Sequence, residues 1–241
     1  WNEKGVLIEN TKVAMTAPTD RQVGNIMFPE ISRLFNAAGF LPGRLTGYDI
    51  RTENKEWFLT GFKSDSHTTE AWSGFHAVNT MFVVTEATGM TETIYNAIEG
   101  NLQGNSRILI VFNPNVSTGY AANSQREDRW TKFRLDSLSA PNVKAKKIII
   151  PAQVDYDWIK DKVATWCSLI SDNDYRPETE GDFEFEGIKY RPNDLFRIKV
   201  RGMFPKVGTD VLVPPEWIEL ANKRWQEAQK DSIVTAAGVS G

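Results

Sequence analysis

Apolar residues along this chain gather into two short runs, Met81-Phe82-Val83-Val84 and Ile108-Leu109-Ile110-Val111. Each stops abruptly, the first at Thr85-Glu86-Ala87-Thr88 and the second at Phe112-Asn113-Pro114. Unbroken runs of β-branched and large apolar residues predict strands covered on both faces, as in a parallel sheet wrapped by helices. The segment 91–104 between them then serves as the crossover helix. Ligands in such sheets bind beyond the carboxyl ends of the strands, so Glu86 and Asn113 are predicted to sit side by side at one crevice.

The same patterning organises the rest. Residues 12–16 read as a strand, and Thr16-Ala17-Pro18-Thr19-Asp20 ends it and opens a helix with Thr19 or Asp20 as N-cap. Val23, Met27, Ile31 and Leu34 recur at helical spacing and predict a core-facing stripe, with a kink or a later start at Pro29. Gly39, Pro42, Gly43 and Gly47 mark a loop, and segments 48–51 and 57–62 predict a hairpin. Segment 64–74 is polar and expected to be mobile. A loop at 115–120, a helix at 121–129 and a strand at 131–136 follow. Ile148-Ile149-Ile150 leads into a helix carrying Val154, Trp158, Val163 and Trp166, capped by Asp155 or Asp157. Residues 182–190 alternate around Gly187 as a hairpin, 197–200 read as extended, and Pro214-Pro215-Glu216 opens a last amphipathic helix to Lys230.

A chain of 241 residues with 41% hydrophobic and 24% charged content can bury a sizeable core, and its net charge of −3 excludes a uniformly basic nucleic-acid surface. Any DNA contact must be local. The single Cys167 rules out an internal disulfide, fits a reducing compartment and falls in an apolar helical pattern as a core thiol. No stretch approaches the ~18 apolar residues of a membrane span, and Trp1-Asn2-Glu3-Lys4 does not begin a signal peptide. A soluble intracellular protein is expected.

Glu86, at the end of a buried strand, stands where an ATPase needs a carboxylate to orient and activate the attacking water. A carboxylate there also complements the dipole of the next helix. Asn113 can hydrogen-bond both a lytic water and a γ-phosphate, although Asn-Pro is equally a turn opener. Arg126, Arg129, Lys132 and Arg134, and then Lys144, Lys146 and Lys147, supply two basic stretches able to meet phosphates.

The ordered set Thr16-Ala-Pro-Thr-Asp-Arg-Gln-Val23, Gly74-Phe-His76, Thr85-Glu-Ala-Thr-Gly89, Phe112-Asn-Pro114, Pro141-Asn-Val143, Arg201-Gly-Met-Phe-Pro205 and Val213-Pro-Pro-Glu-Trp217 resembles the large subunit of tailed-phage terminases. The resemblance covers nearly the whole chain. It implies the α/β fold of a P-loop ATPase, RecA-like, with a mainly parallel sheet flanked by helices and a small C-terminal lid or linker subdomain. Residues 1–146 would form the ATPase core, 147–232 the lid/linker with its acidic hairpin, and 233–241 the start of a nuclease domain or a tail. Glu86 matches the catalytic Walker B glutamate, Asn113 falls in the coupling motif, and Thr19 and Gln22 are candidate nucleotide-binding residues.

Two departures bear on the chemistry. Thr85 occupies the position at which the family carries an Asp that holds Mg²⁺, and a neutral hydroxyl is a poorer partner for a hard cation. No Gly-x-x-x-x-Gly-Lys-Ser/Thr occurs, and Gly39-Phe-Leu-Pro-Gly43-Arg44 lacks the Lys and hydroxyl that cradle phosphates. The resemblance places that loop upstream of Trp1, which implies a fragment that hydrolyses ATP poorly or not at all and has no nuclease activity. The implied cofactors are ATP and Mg²⁺. The implied partners are double-stranded DNA, the portal protein, the small terminase subunit and further copies in a ring, in the cytoplasm of an infected bacterium docked on the procapsid, with no membrane. The alternatives are a degenerate P-loop-fold module for assembly or DNA binding, and a fragment of a helicase-type translocase.

Overall fold

The computed structural model describes residues 10–63, 72, 74–206, 221–226 and 228–229. The chain divides into two compact units, residues 10–113 with 119–126, and residues 114–118 with those from 127 onward.

In the first unit, β1 (Thr11–Thr16) leads through Thr19 into α1 (Asp20–Gln22), a π-helical turn (Val23–Met27) and α2 (Phe28–Ala38). Thr19 is the N-cap predicted from sequence. Its side chain accepts from the Gln22 amide while Gln22 reaches back to the Thr19 amide, a reciprocal capping box. The π turn answers the Pro29 problem: the Phe28 amide reaches back to the Val23 carbonyl, and α2 starts afresh with Pro29 in its first turn, where a missing N–H costs nothing. Val23 and Phe28 bury, but Leu34 is 58% exposed, so the predicted core stripe ends before it. Gly39, left-handed at φ 60°, ends α2.

Strands β2 (Arg44–Thr46), β3 (Asp49–Arg51) and β4 (Phe58–Gly61) follow, with β2 pairing antiparallel to β3 and β3 to β4. The predicted hairpin is present, and β2 is an addition to it. Then come β5 (Asn79–Thr85), a 3₁₀ turn (Ala87–Gly89), α3 (Glu92–Glu99), β6 (Asn105–Val111) and α4 (Tyr120–Ser124). The six strands form one mixed, mostly parallel sheet in the order β2-β3-β4-β1-β5-β6, as expected of an α/β fold. Phe82 and Val84 of β5 pack with Ile94, Tyr95 and Ile98 of α3, whereas Val23 and Phe28 pack with Ala17 and Leu59 in a separate cluster.

The parallel β5–β6 pair and its crossover helix match the sequence reading, but β6 departs from it. Leu109 and Val111 are 43% and 48% exposed while Ile108 and Ile110 join the core. On β6, the edge strand, the face carrying Ile108 and Ile110 is covered and the face carrying Leu109 and Val111 is open to solvent.

In the second unit, α5 (Pro141–Ala145) and α6 (Tyr156–Trp166, N-capped by Asp155) are followed by β7 (Cys167–Leu169), α7 (Pro177–Glu180), β8 (Phe183–Phe185), β9 (Ile188–Pro192) and α8 (Asp194–Lys199). The strands form an antiparallel sheet in the order β7-β9-β8 over a core of Val143, Ile159, Val163, Phe183, Phe196 and Val200. Glu186 and Gly187 both take positive φ, 53° and 78°, giving the two-residue hairpin turn that the alternation around Gly187 predicts.

Four readings are corrected here. Segment 131–136 is not a strand: its residues find no ladder, and Phe133 and Leu135 are 79% and 87% exposed. Arg197 lies in α8 rather than in an extended segment, because the Asn193 side chain accepts from the Phe196 amide and starts a helix. Val154 precedes α6, whose buried residues are Ile159 and Val163. Cys167 opens β7 instead of lying in a helix. Of the expected segment 64–74, only Trp72 and Gly74 are described, and Trp72 is buried. The last predicted helix is helical at 221–226 and 228–229, and its other residues, with the tail beyond, lie outside the described residues.

Candidate functional site

Strands β4, β1, β5 and β6 run parallel, so their carboxyl ends share one rim of the sheet. The chain leaves β1 toward β4 on one side and returns to β5 and then β6 on the other. The order therefore reverses between β1 and β5, where such sheets hold ligands. Thr19 and Glu86 flank that point, and Asn113 follows β6, one strand farther along the same rim. Thr16 pairs with Val84 and Thr85 with Val111, which places Thr19, Glu86 and Asn113 just past the ends of β1, β5 and β6. Thr19, Glu86 and Asn113 are all exposed.

Glu86 takes a left-handed backbone, φ 50° and ψ 42°, which a residue with a Cβ rarely adopts. That conformation ends β5 in one step and turns the chain into the 3₁₀ turn, closed by the Gly89 amide donating to the Glu86 carbonyl at 2.9 Å. Neighbours hold the turn in place. On the β1 side Gly89 lies against Pro18, where a Cβ would come within 2.9 Å of the proline Cγ. On the other side the Tyr95 hydroxyl donates to the Ala87 carbonyl at 2.6 Å. Non-glycine strain of this kind persists only where the surroundings over-determine it.

Thr85 faces the β1 side of the rim. Its hydroxyl donates toward the Thr16 carbonyl at 3.5 Å and lies 3.1 Å from the Met27 sulfur. Thr19 and Gln22 are engaged with each other, the Thr19 hydroxyl donating to Gln22 Oε1 at 2.8 Å. With its hydroxyl engaged by Thr16 and Met27, Thr85 is a weak partner for a hard cation, and Glu86 is the carboxylate at this turn. Among the described residues no group of three or more His, Cys, Asp and Glu side chains could hold a metal ion.

Sequence reasoning missed the bracing role of Tyr95, Gly89 and Pro18, although the last two lie in segments that carry the resemblance. Tyr95 had a readable signal, since it falls in the buried stripe of α3 with Ile94 and Ile98. The close approach of Gly89 and Pro18 joins two turns distant in sequence and has no local signature.

No family model matches the chain. It is 27% identical over 186 residues to a protein of Enterobacteria phage P7 described as "Probable terminase, large subunit", across 71% of this chain and 31% of the relative. The chain thus spans less than a third of that relative's length. Two structures of the large terminase from a thermophilic bacteriophage also match. One, at 13% identity and TM-score 0.37, covers 46% of this chain and 28% of the other. The second, solved in complex with ADP, has 12% identity, TM-score 0.39 and coverage of 51% and 30%. The chain is similar to a terminase large subunit. Among the described residues no helix is long and apolar enough to cross a membrane.

Proposed function

Proceeding from this similarity to a terminase large subunit, we propose that the first unit is the RecA-like ATPase part of a motor that drives double-stranded DNA into a procapsid. The observation that carries the reading is the left-handed Glu86, exposed at the rim where strand order reverses and one strand away from Asn113. An exposed carboxylate on a braced turn can accept a proton from water and aim it at a bound phosphate. Asn113, at the end of the adjacent strand, offers an amide to the same phosphate and couples its loss to movement of the chain that follows. Thr19 and Gln22 lie at the same rim as candidate contacts to the nucleotide. ATP would be the substrate, and any Mg²⁺ would come with its phosphates, since Thr85 offers a hydroxyl where a carboxylate would hold the metal.

The second unit serves as lid and linker. The portal protein, the small terminase subunit and further copies in a ring are the partners of this reading, in the cytoplasm of the infected cell. The 241 residues alone turn over ATP slowly or not at all, because no Walker A loop lies among them.

The test is ATP turnover, with and without double-stranded DNA, by the longest natural polypeptide that carries this sequence. DNA-stimulated turnover abolished by Glu86→Ala supports the motor. A degenerate assembly or DNA-binding module would be inactive and indifferent to that substitution.

A further inference from the structure

We propose that Tyr95 is a positioning residue for Glu86, and that its stack on Tyr120 ties the Glu86 turn to α4, the helix the chain enters after Asn113. The inference rests on the reading of Glu86 as the residue that orients water.

Tyr95 is 1% exposed, and its hydroxyl reaches past the helix to the carbonyl of Ala87, the residue after Glu86. Holding that carbonyl fixes the plane of the Ala87–Thr88 peptide and with it the turn from which the Glu86 side chain projects. Burial, reinforced by the nearby Glu92 carboxylate, raises the Tyr95 phenol well above its usual range, so it stays protonated and a donor near neutral pH. The face of the same ring lies on Tyr120, with centroids 4.1 Å apart and planes within 10°. Tyr120 opens α4, and its hydroxyl is hydrogen-bonded to Glu99 at the end of α3. Ala87 and Ala121 belong to the same buried cluster, so small side chains let the 3₁₀ turn and α4 approach closely. A shift of α4 therefore moves the ring that holds Ala87. The two strand ends are linked through an aromatic pair as well as through the sheet.

The experiment is backbone amide exchange on the intact chain. Tyr95→Phe keeps the stack and removes only the hydroxyl. It is expected to speed exchange at Gly89 and Met90, whose amides close the turn, by about ten-fold, while amides of β1 and β5 keep their rates. Tyr120→Ala, which removes the stack, is expected to speed the same two amides. Tyr120→Phe, which keeps it, is expected to leave them within about two-fold. In the longest natural polypeptide, Tyr95→Phe should lower kcat with KM unchanged, a split that a merely structural tyrosine does not give.

Unchanged exchange at Gly89 in Tyr95→Phe, or an equal rise throughout the sheet, overturns the positioning role. Unchanged exchange there in Tyr120→Ala overturns the link to α4. If Glu86→Gln leaves turnover intact while these exchange effects appear, the reading of Glu86 fails and the mechanical link stands. If turnover needs Glu86 but Tyr95→Phe alters neither exchange nor kcat, this inference fails alone.

Discussion

Gly89 and Pro18 touch across the sheet rim so closely that a Cβ on the glycine would come within 2.9 Å of the proline Cγ. The turn after β5 is thereby seated against the turn after β1, and the side chain of Glu86 inherits its position from that contact. Gly89→Ala should force the two turns apart, because the proline ring has little freedom to yield. The expected cost is about 1–3 kcal/mol in urea unfolding, together with any activity that depends on Glu86. Unchanged stability would mean that the turns are not pressed together.

Glu86 itself is held against its backbone preference. A left-handed residue with a Cβ costs about 1 kcal/mol or more, and glycine relieves that at an entropic cost of about 0.5–1 kcal/mol. Glu86→Gly should therefore leave stability equal or raise it by up to about 1 kcal/mol, whereas Glu86→Ala, which keeps the strain, should gain nothing. Equal losses in both variants would show that the Glu86 side chain supports the fold. That would remove the sign that it is kept for chemistry.

The parallel pair of β5 and β6 and the crossover between them were legible because a strand and its successor helix announce themselves by local periodicity. The Thr19 cap and the Gly187 hairpin were legible for the same reason: each is a short-range hydrogen-bonding problem with few solutions. The open face of β6 was not. A run such as Ile108–Val111 reads alike whether one face or both are covered, and what packs on each face is decided by segments distant in sequence. Segment 131–136 alternates well enough for a strand, yet a strand exists only with a partner, and partners are non-local. The position of Glu86 and Asn113 at one rim followed from the parallel pairing. The braces around Glu86, Pro18 on one side and Tyr95 on the other, depend on contacts between turns that sequence spacing does not encode.

In the second unit Asp182 is the buried anchor. Arg191 grips both its oxygens, at 2.9 and 2.8 Å, and the Arg176 amide donates to it at 2.7 Å. Burial alone would raise its pKa, but these hydrogen bonds, chiefly from Arg191, outweigh it and hold the carboxyl below its usual 3.8. A depressed carboxyl contributes stability that is complete above 3.8 and is lost as pH falls through the lower folded value. Asp182→Asn should thus cost about 1–3 kcal/mol at pH 7, because the Arg191 charge left behind is partly exposed to water. The difference from wild type should shrink below about pH 4, which parallel thermal unfolding series at about pH 7 and about pH 3 would read.

Burial pushes the Cys167 thiol up to about 12, against a smaller opposing pull from Arg201. Since only the thiolate reacts, alkylation by iodoacetamide at about pH 8 should run on the order of a hundred-fold slower in the folded chain than in urea. Equal rates would place Cys167 in a more open setting than the start of β7.

The proposed motor depends on Glu86 as the group that activates water. Its most direct test is ATP hydrolysis by the longest natural polypeptide carrying this sequence, comparing wild type with Glu86→Gln while nucleotide affinity is measured in parallel. We expect Glu86→Gln to bind ATP as wild type does and to lose about 10²–10⁴-fold in kcat. Turnover at the wild-type rate with a glutamine at position 86 would contradict the account.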